Sequence, residues 1–276
     1  MHARQYTRPL LAALFILSAG YVTQANAVPV FNIDNNGGFL QGSENPAIID
    51  FSEPKASPPS PANTFRTIEW ISGSSPQSML NVDTVGDTTV DAEGGPVVIS
   101  TLTHNNAVIP GGTTWTITAR SNFQLLDPTD TTVLVDLPNS DEMIAFLETT
   151  NDGSCNDQGL NGVLSNNLVG SNCDDMYDVL LADFAGDNQI FGYNGQNYLL
   201  TFGLLPGLGT DFEFITGADG FDYIRVYAGE DGESVFNVTV EVTRVVPVPG
   251  SLALMGIGLT GLGFGAARAR KRKQNH

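Results

Sequence analysis

Between residues 28 and 245 the apolar side chains fall at every second position in short runs, and no run keeps a helical period. The clearest is Ser234–Val246, where Phe236, Val238, Val240 and Val242 alternate with Asn237, Thr239, Glu241 and Thr243. Such alternation turns one face of a strand to a core and the other to water. In Ile190–Phe202, Asn194-Gly195 separates two β-rich runs, and both residue types accept the positive φ angles of a two-residue turn, so a hairpin is predicted there. Further strands are predicted around Trp70 and Trp115, and over Pro96–Thr103, Thr131–Leu137, Met143–Thr149, Tyr177–Phe184 and Phe221–Ala228. Nine or so short strands imply an all-β fold, read here as a single β-sandwich, jelly-roll-like or Ig-like, over residues 28–245. Asn45–Asn63 holds five prolines and little periodicity, and reads as a surface excursion within that domain.

The two ends do not share this pattern. Arg4 and Arg8 precede an apolar run from Leu10, and Ala25 and Ala27 then stand in the A-x-A arrangement that signal peptidase accepts. Residues 1–27 are therefore expected to be a secretory signal peptide cleaved after Ala27; the run is about half the ~20 residues of a membrane-spanning helix. At the other end, Ser251–Ala267 is free of charge and would make a helix about 25 Å long, followed by Arg268, Arg270, Lys271, Arg272 and Lys273. Pro247 and Pro249 keep the backbone before it extended. A basic cluster after an apolar helix favours the cytoplasmic side, so this is expected to be a transmembrane stop-transfer segment. A buried core helix is the alternative, but the five glycines between Gly256 and Gly265 would weaken it in water.

Setting the ends aside changes the charge picture. The whole chain carries −18, yet all 30 acids lie between Val28 and Arg244 with only Lys55, Arg66, Arg120, Arg225 and Arg244 to offset them, a net of −25 for that segment. Such a surface repels phosphate backbones, so no nucleic-acid partner is expected. Cys155 and Cys173 are expected to form a disulfide in an oxidising compartment, worth about 3 kcal/mol on the chain-entropy model. The acids around them disfavour a reactive thiolate.

The order Val246-Pro247-Val248-Pro249, then a Gly-rich apolar helix, then Arg268–Lys273 resembles the PEP-CTERM sorting domain over residues 246–276, with Val248 where that family commonly has glutamate. The resemblance implies processing by exosortase, a membrane protease/transpeptidase of Gram-negative bacteria. The chain would lodge in the inner membrane transiently and then reach the cell surface or the extracellular matrix, often beside exopolysaccharide. Within the body, Thr103-His104-Asn105-Asn106 resembles the motif of THxN family PEP-CTERM proteins, accompanied by I-E-W-I-S around Trp70, by Cys155 with Cys173-Asp174-Asp175, and by Y-L-L-T-F-G-L-L from Tyr198. That family carries no established reaction to transfer.

Chemistry in the body is sparse. His104 is its one histidine, so a multi-histidine metal site within a single chain is impossible. Thr103, His104 and Asn106 are expected to tie down the turn that follows, through hydrogen bonds to backbone. No nucleophile elbow is present, and no catalytic residue, metal or cofactor is assigned. Asn151–Asp157 and Gly217–Tyr223 offer oxygen ligands but read as solvated turns. Paired carboxylates for glycoside hydrolysis, or Trp70, Trp115, Tyr223 and Tyr227 stacking on sugar rings, keep a polysaccharide-active enzyme or sugar-binding module as the alternative. The leading expectation is a non-catalytic exported protein, and a permanently anchored envelope protein is the third reading.

Overall fold

The computed structural model describes residues 27–45, 49–55, 60–70, 78–107, 113–149, 169, 173–229 and 232–246. The signal segment before Ala27, Cys155 and the tail from Pro247 lie outside them, and with the tail the predicted membrane span. Among the described residues no helix is long and apolar enough to cross a membrane.

The described chain is nearly all β: one curled antiparallel sheet of fourteen strands and one short helix. In chain order these are β1 (Val30–Leu40), β2 (Ile49–Pro54), β3 (Thr64–Trp70), β4 (Ser78–Thr84), β5 (Asp87–Asp91), β6 (Val97–Asn106), β7 (Thr114–Leu126) and β8 (Val133–Leu147). They continue with β9 (Asp175–Leu180), α1 (Leu181–Gly186), β10 (Gln189–Tyr193), β11 (Gln196–Pro206), β12 (Thr210–Thr216), β13 (Asp222–Ala228) and β14 (Gly232–Val245). The order across the sheet is β10-β11-β14-β6-β4-β3-β1-β7-β8-β9-β13-β12, with β2 added to β3 and β5 to β1.

The sheet turns a corner between β3 and β1. These strands share only two residue pairs, Phe39↔Phe65 and Leu40↔Thr64. A Cβ on Gly38 would stand 2.5 Å from the Phe65 carbonyl oxygen, so only glycine lets the two backbones approach this closely. Beyond the corner, β1 runs along β7 for eight pairs, Asn32↔Leu126 to Phe39↔Ala119. The far ends meet again where the β11–β12 turn reaches β14: Val235 N donates to the Leu208 carbonyl at 2.7 Å, and Gly207 N to that of Val235 at 3.0 Å.

The core lies inside the curl, in two clusters that each draw on both arms. One gathers Phe39, Ile68, Trp70, Leu102, Trp115, Phe146, Tyr177 and Phe236. The other gathers Phe31, Ile33, Phe123, Leu125, Phe191, Tyr198, Leu200 and Val242.

The predicted strands are present, with three differences. Of Tyr177–Phe184 only the part up to Leu180 is strand (β9); Leu181–Phe184 opens the helix α1, whose one buried side chain is Phe184. Thr131–Leu137 and Met143–Thr149 belong to one long strand, β8, because the interruption at Pro138-Asn139 is absorbed as an irregularity opposite Asn122, with Asn139 at φ 53°. The proline-rich stretch from Asn45 to Asn63 contains β2, paired to β3 from Ile49↔Trp70 to Pro54↔Phe65, and so is not wholly an excursion. The Asn194-Gly195 hairpin forms as read, with φ 47° and 72° at the two turn residues.

Candidate functional site

The THxN residues lie within β6, which runs past the predicted strand end at Thr103 to Asn106. Period 2 along that strand points Leu102, His104 and Asn106 inward, while Thr103 and Asn105 are half-buried between them. Thr103 pairs with Asn81 on β4 and Val235 on β14.

His104 is fully buried in a box of rings contributed by both arms of the sheet. On one arm, Trp115↔Phe146 and Phe146↔Tyr177 are direct cross-strand partners on β7, β8 and β9, which lines their rings up in a row. On the other arm, Trp70 at the end of β3 stacks on His104, centroids 5.4 Å apart. Across the gap Trp70 meets Trp115 at 5.1 Å and Phe146 at 4.9 Å, while His104 meets Phe146 at 5.8 Å and Tyr177 at 5.5 Å. Phe236 of β14 closes the box against Tyr177 at 5.6 Å. Each such contact contributes about 0.5–1.5 kcal/mol beyond the area it buries.

The expected side-chain tie from His104 to a turn is not made. Neither of its ring nitrogens has a hydrogen-bond partner among the described residues, and the same holds for Trp70 Nε1, Trp115 Nε1 and Tyr177 Oη. Loss of hydration lowers the His104 pKa to about 3, so the ring is neutral and packs as an aromatic. Burial, followed by the negative charges of Asp175 and Glu148, holds the Tyr177 phenol well above its ordinary value.

Asn106 reaches a second motif. Its Nδ2 donates to Asp175 Oδ2 at 2.8 Å, and Thr149 N donates to Asp175 Oδ1 at 2.9 Å. Thr149 Oγ1 donates to the Cys173 carbonyl at 2.6 Å, and Asp174 Oδ2 accepts from Val169 N at 2.8 Å. Ser78 Oγ accepts from Ala107 N at 3.1 Å and donates to Asn106 Oδ1 at 3.4 Å. The Thr-His-Asn-Asn and Cys-Asp-Asp stretches, nearly 70 residues apart, thus join at one buried junction. Cys173 is fully buried there. Nearby, Arg225 of β13 forms a buried fork with Asp178 of β9, Nε to Oδ1 at 2.7 Å and Nη2 to Oδ2 at 2.9 Å.

Of the four aromatics considered for sugar stacking, Trp70, Trp115 and Tyr227 are fully buried and Tyr223 is half-buried. Among the described residues no group of three or more His, Cys, Asp or Glu is placed to hold a metal ion. Asp219 and Asp222 of the Gly217–Tyr223 stretch bond Tyr223 Oη and Thr216 Oγ1 at 2.6 and 2.7 Å, as a solvated turn does.

One feature of the interior was not anticipated. Between the two core clusters lies a cavity of about 110 Å³ walled by Ile99, Phe123, Ile144, Phe202 and Val238, with Glu142 at its polar end. Glu142 follows the inward register of β8, in line with Ile144 and Phe146, and sits opposite the small Ala119 of β7. Its Oε2 is buried and has no hydrogen-bond partner among the described residues. Burial, and then repulsion from Asp187, Asp183 and Asp141, push its carboxyl up to about 8.

Val246 and Ala27, the only residues of the two predicted processing segments that are described, are both exposed and lie just outside the last and first strands. Comparison with protein-family models and with curated proteins gives no match.

Proposed function

We propose that this chain is a non-catalytic exported protein of the cell surface or extracellular matrix, a β-sandwich delivered on a PEP-CTERM-like sorting segment that exosortase removes. The observation that carries this reading is where the processing signals fall relative to the sheet. The proposed cleavage after Ala27 would fall three residues before β1 begins at Val30, and Pro247-Val248-Pro249 starts two residues after β14 ends at Val245. Both ends can therefore be removed with all fourteen strands kept. The burial of His104 and Asn106 favours a structural role for the THxN motif, as the junction that locks β6 to β9 and the two arms to each other. The proposed Cys155–Cys173 disulfide would pin the chain before β9 to the same junction.

Intact-mass analysis of the protein from its own cells, with and without exosortase, tests this reading. The expected mature species starts at Val28, ends close to Pro249, is two hydrogens lighter than the reduced form, and keeps its tail when exosortase is missing. A tail-bearing species in both strains sinks the sorting reading.

A sugar-binding module is the second reading. It would rest on the β12–β13 hairpin, where Phe214 is 66% and Phe221 58% exposed. Glycan-array binding that is lost in a Phe214→Ala, Phe221→Ala double variant would promote it.

A further inference from the structure

We propose that the cavity beside Glu142 is a binding site for a short-chain primary alkylamine, its ammonium group at the Glu142 carboxylate and its alkyl tail in the apolar interior between the two core clusters. Three observations converge on this ligand class.

The first is shape and lining. At about 110 Å³ the space is somewhat smaller than the 150 Å³ cavity known to admit benzene, so it suits a tail of about four to six carbons. Ile99, Phe123, Ile144, Phe202 and Val238 face that tail with apolar surface, and the Asn35 amide on the same wall already donates to the Ile99 carbonyl at 2.9 Å and to Ser100 Oγ at 3.0 Å.

The second is the buried carboxylate oxygen. An acceptor shut away from water without a donor is costly, and strands that could have placed an apolar side chain on that face carry Glu142 instead. A donor arriving with the ligand would complete it.

The third is charge. The one cation at the mouth among the described residues, Arg120 of β7, is held by Asp141, with Nε to Oδ1 and Nη2 to Oδ2 both at 2.5 Å. Ser140 of β8 donates to Asp187. That leaves Asp183 and Asp187, from α1 and the turn after it, without a cationic partner beside Glu142 among the described residues, and burial together with their charge keeps the Glu142 carboxyl protonated until a cation arrives. An anion would be repelled there, and a neutral alcohol would gain nothing from the field. A primary ammonium supplies both the donor and the charge.

Calorimetric titration of the purified full chain at pH 7 with n-pentylamine, methylamine, n-pentanol and n-pentanoate tests the assignment. Pentylamine is expected to bind at one site and to release protons, because pairing ionises Glu142; the released fraction is read from titrations in buffers of different ionisation enthalpy. Methylamine lacks the tail and pentanoate carries the wrong charge, so both are expected to bind at least about tenfold more weakly. Glu142→Gln should cost pentylamine about tenfold or more and abolish the proton release. Ala119→Leu, which fills the space, should abolish binding while Glu142 stays in place. The proposal is overturned if pentanol binds as well as pentylamine, if methylamine matches it, if Ala119→Leu leaves the affinity unchanged, or if no amine binds the wild-type chain.

Discussion

His104 on β6 and Glu142 on β8 are both titratable groups on inward faces of central strands, and burial drives both towards neutrality from opposite directions. Their surroundings differ. His104 is sealed among Trp70, Phe146 and Tyr177, so its hydration is replaced by ring contacts on every side. Glu142 stands at the edge of empty space, where β8 has run past the end of β9: the last shared pair is Ile144↔Val179. Where rows from both arms interdigitate, a polar group becomes packing. Where a neighbouring strand stops short and small residues such as Ala119 face it, a polar group becomes the rim of a pocket.

The contrast can be broken most sharply at the box. Trp115→Ala should cost about 3–5 kcal/mol, because the row Trp115-Phe146-Tyr177 cannot collapse without moving three strands. Urea unfolding measures it, and a loss below about 1 kcal/mol would mean the box is not the tighter region. Asn106→Ala should cost about 2 kcal/mol by taking a donor from buried Asp175, with Asn106→Asp worse still from charge repulsion.

Glu142→Leu should stabilise the chain at pH 9 by about 2 kcal/mol after allowing for partial solvent screening. The folded carboxyl keeps its proton up to about pH 8, whereas the unfolded chain releases it near 4.5, so the folded state binds more protons between those values. Wild-type stability therefore falls as pH rises from 4.5 to 8, and the variant lacks that fall. His104 acts in the other direction. Folded, it stays neutral down to about pH 3, while the unfolded chain takes up a proton near 6.5, so stability is lost as pH drops from 6.5 towards 3. His104→Phe should change stability at pH 7 by no more than about 1 kcal/mol and should remove that acid-side loss. Thermal melts of the wild type and both variants from pH 3 to 9 separate the two windows. They overlap between 4.5 and 6.5, where the wild-type slopes oppose each other.

Where the chain alternates strictly, it was readable as sequence. β14 announces itself through Phe236, Val240 and Val242, and the β10–β11 hairpin through Asn194-Gly195. β1 was hidden because Asp34-Asn35-Asn36-Gly37-Gly38 is made of turn-forming residues. They are held extended by pairing to β7 over long sequence distance and by backbone crowding at Gly37 and Gly38, neither of which is a local signal. β2, β4, β5 and β12 are too short, or too mixed in polarity, to show a period. The site was half legible. The sequence drew attention to His104 and Asn106, but the Pro110-Gly111-Gly112 that follows suggested a turn, although counting by twos from Leu102 would have turned both residues inward. Glu142 offered the same clue, a carboxyl in register with Ile144 and Phe146, and was passed over because it lay in a predicted break of β8.

The placement of β14 governs how such a chain can assemble. Among the described strands it is the last to be made, yet it sits inside its arm between β11 and β6, pairing with β11 from Asn197↔Val245 to Pro206↔Phe236 and with β6 from Asn106↔Gly232 to Val97↔Val240. Until Val245 has emerged, two interior edges stay open and the cluster around Val240 and Val242 has no floor. A chain cut short before that point would present those edges to other copies and aggregate rather than form a smaller stable domain. Closure of the whole curl is therefore timed by the arrival of its final fourteen-residue segment.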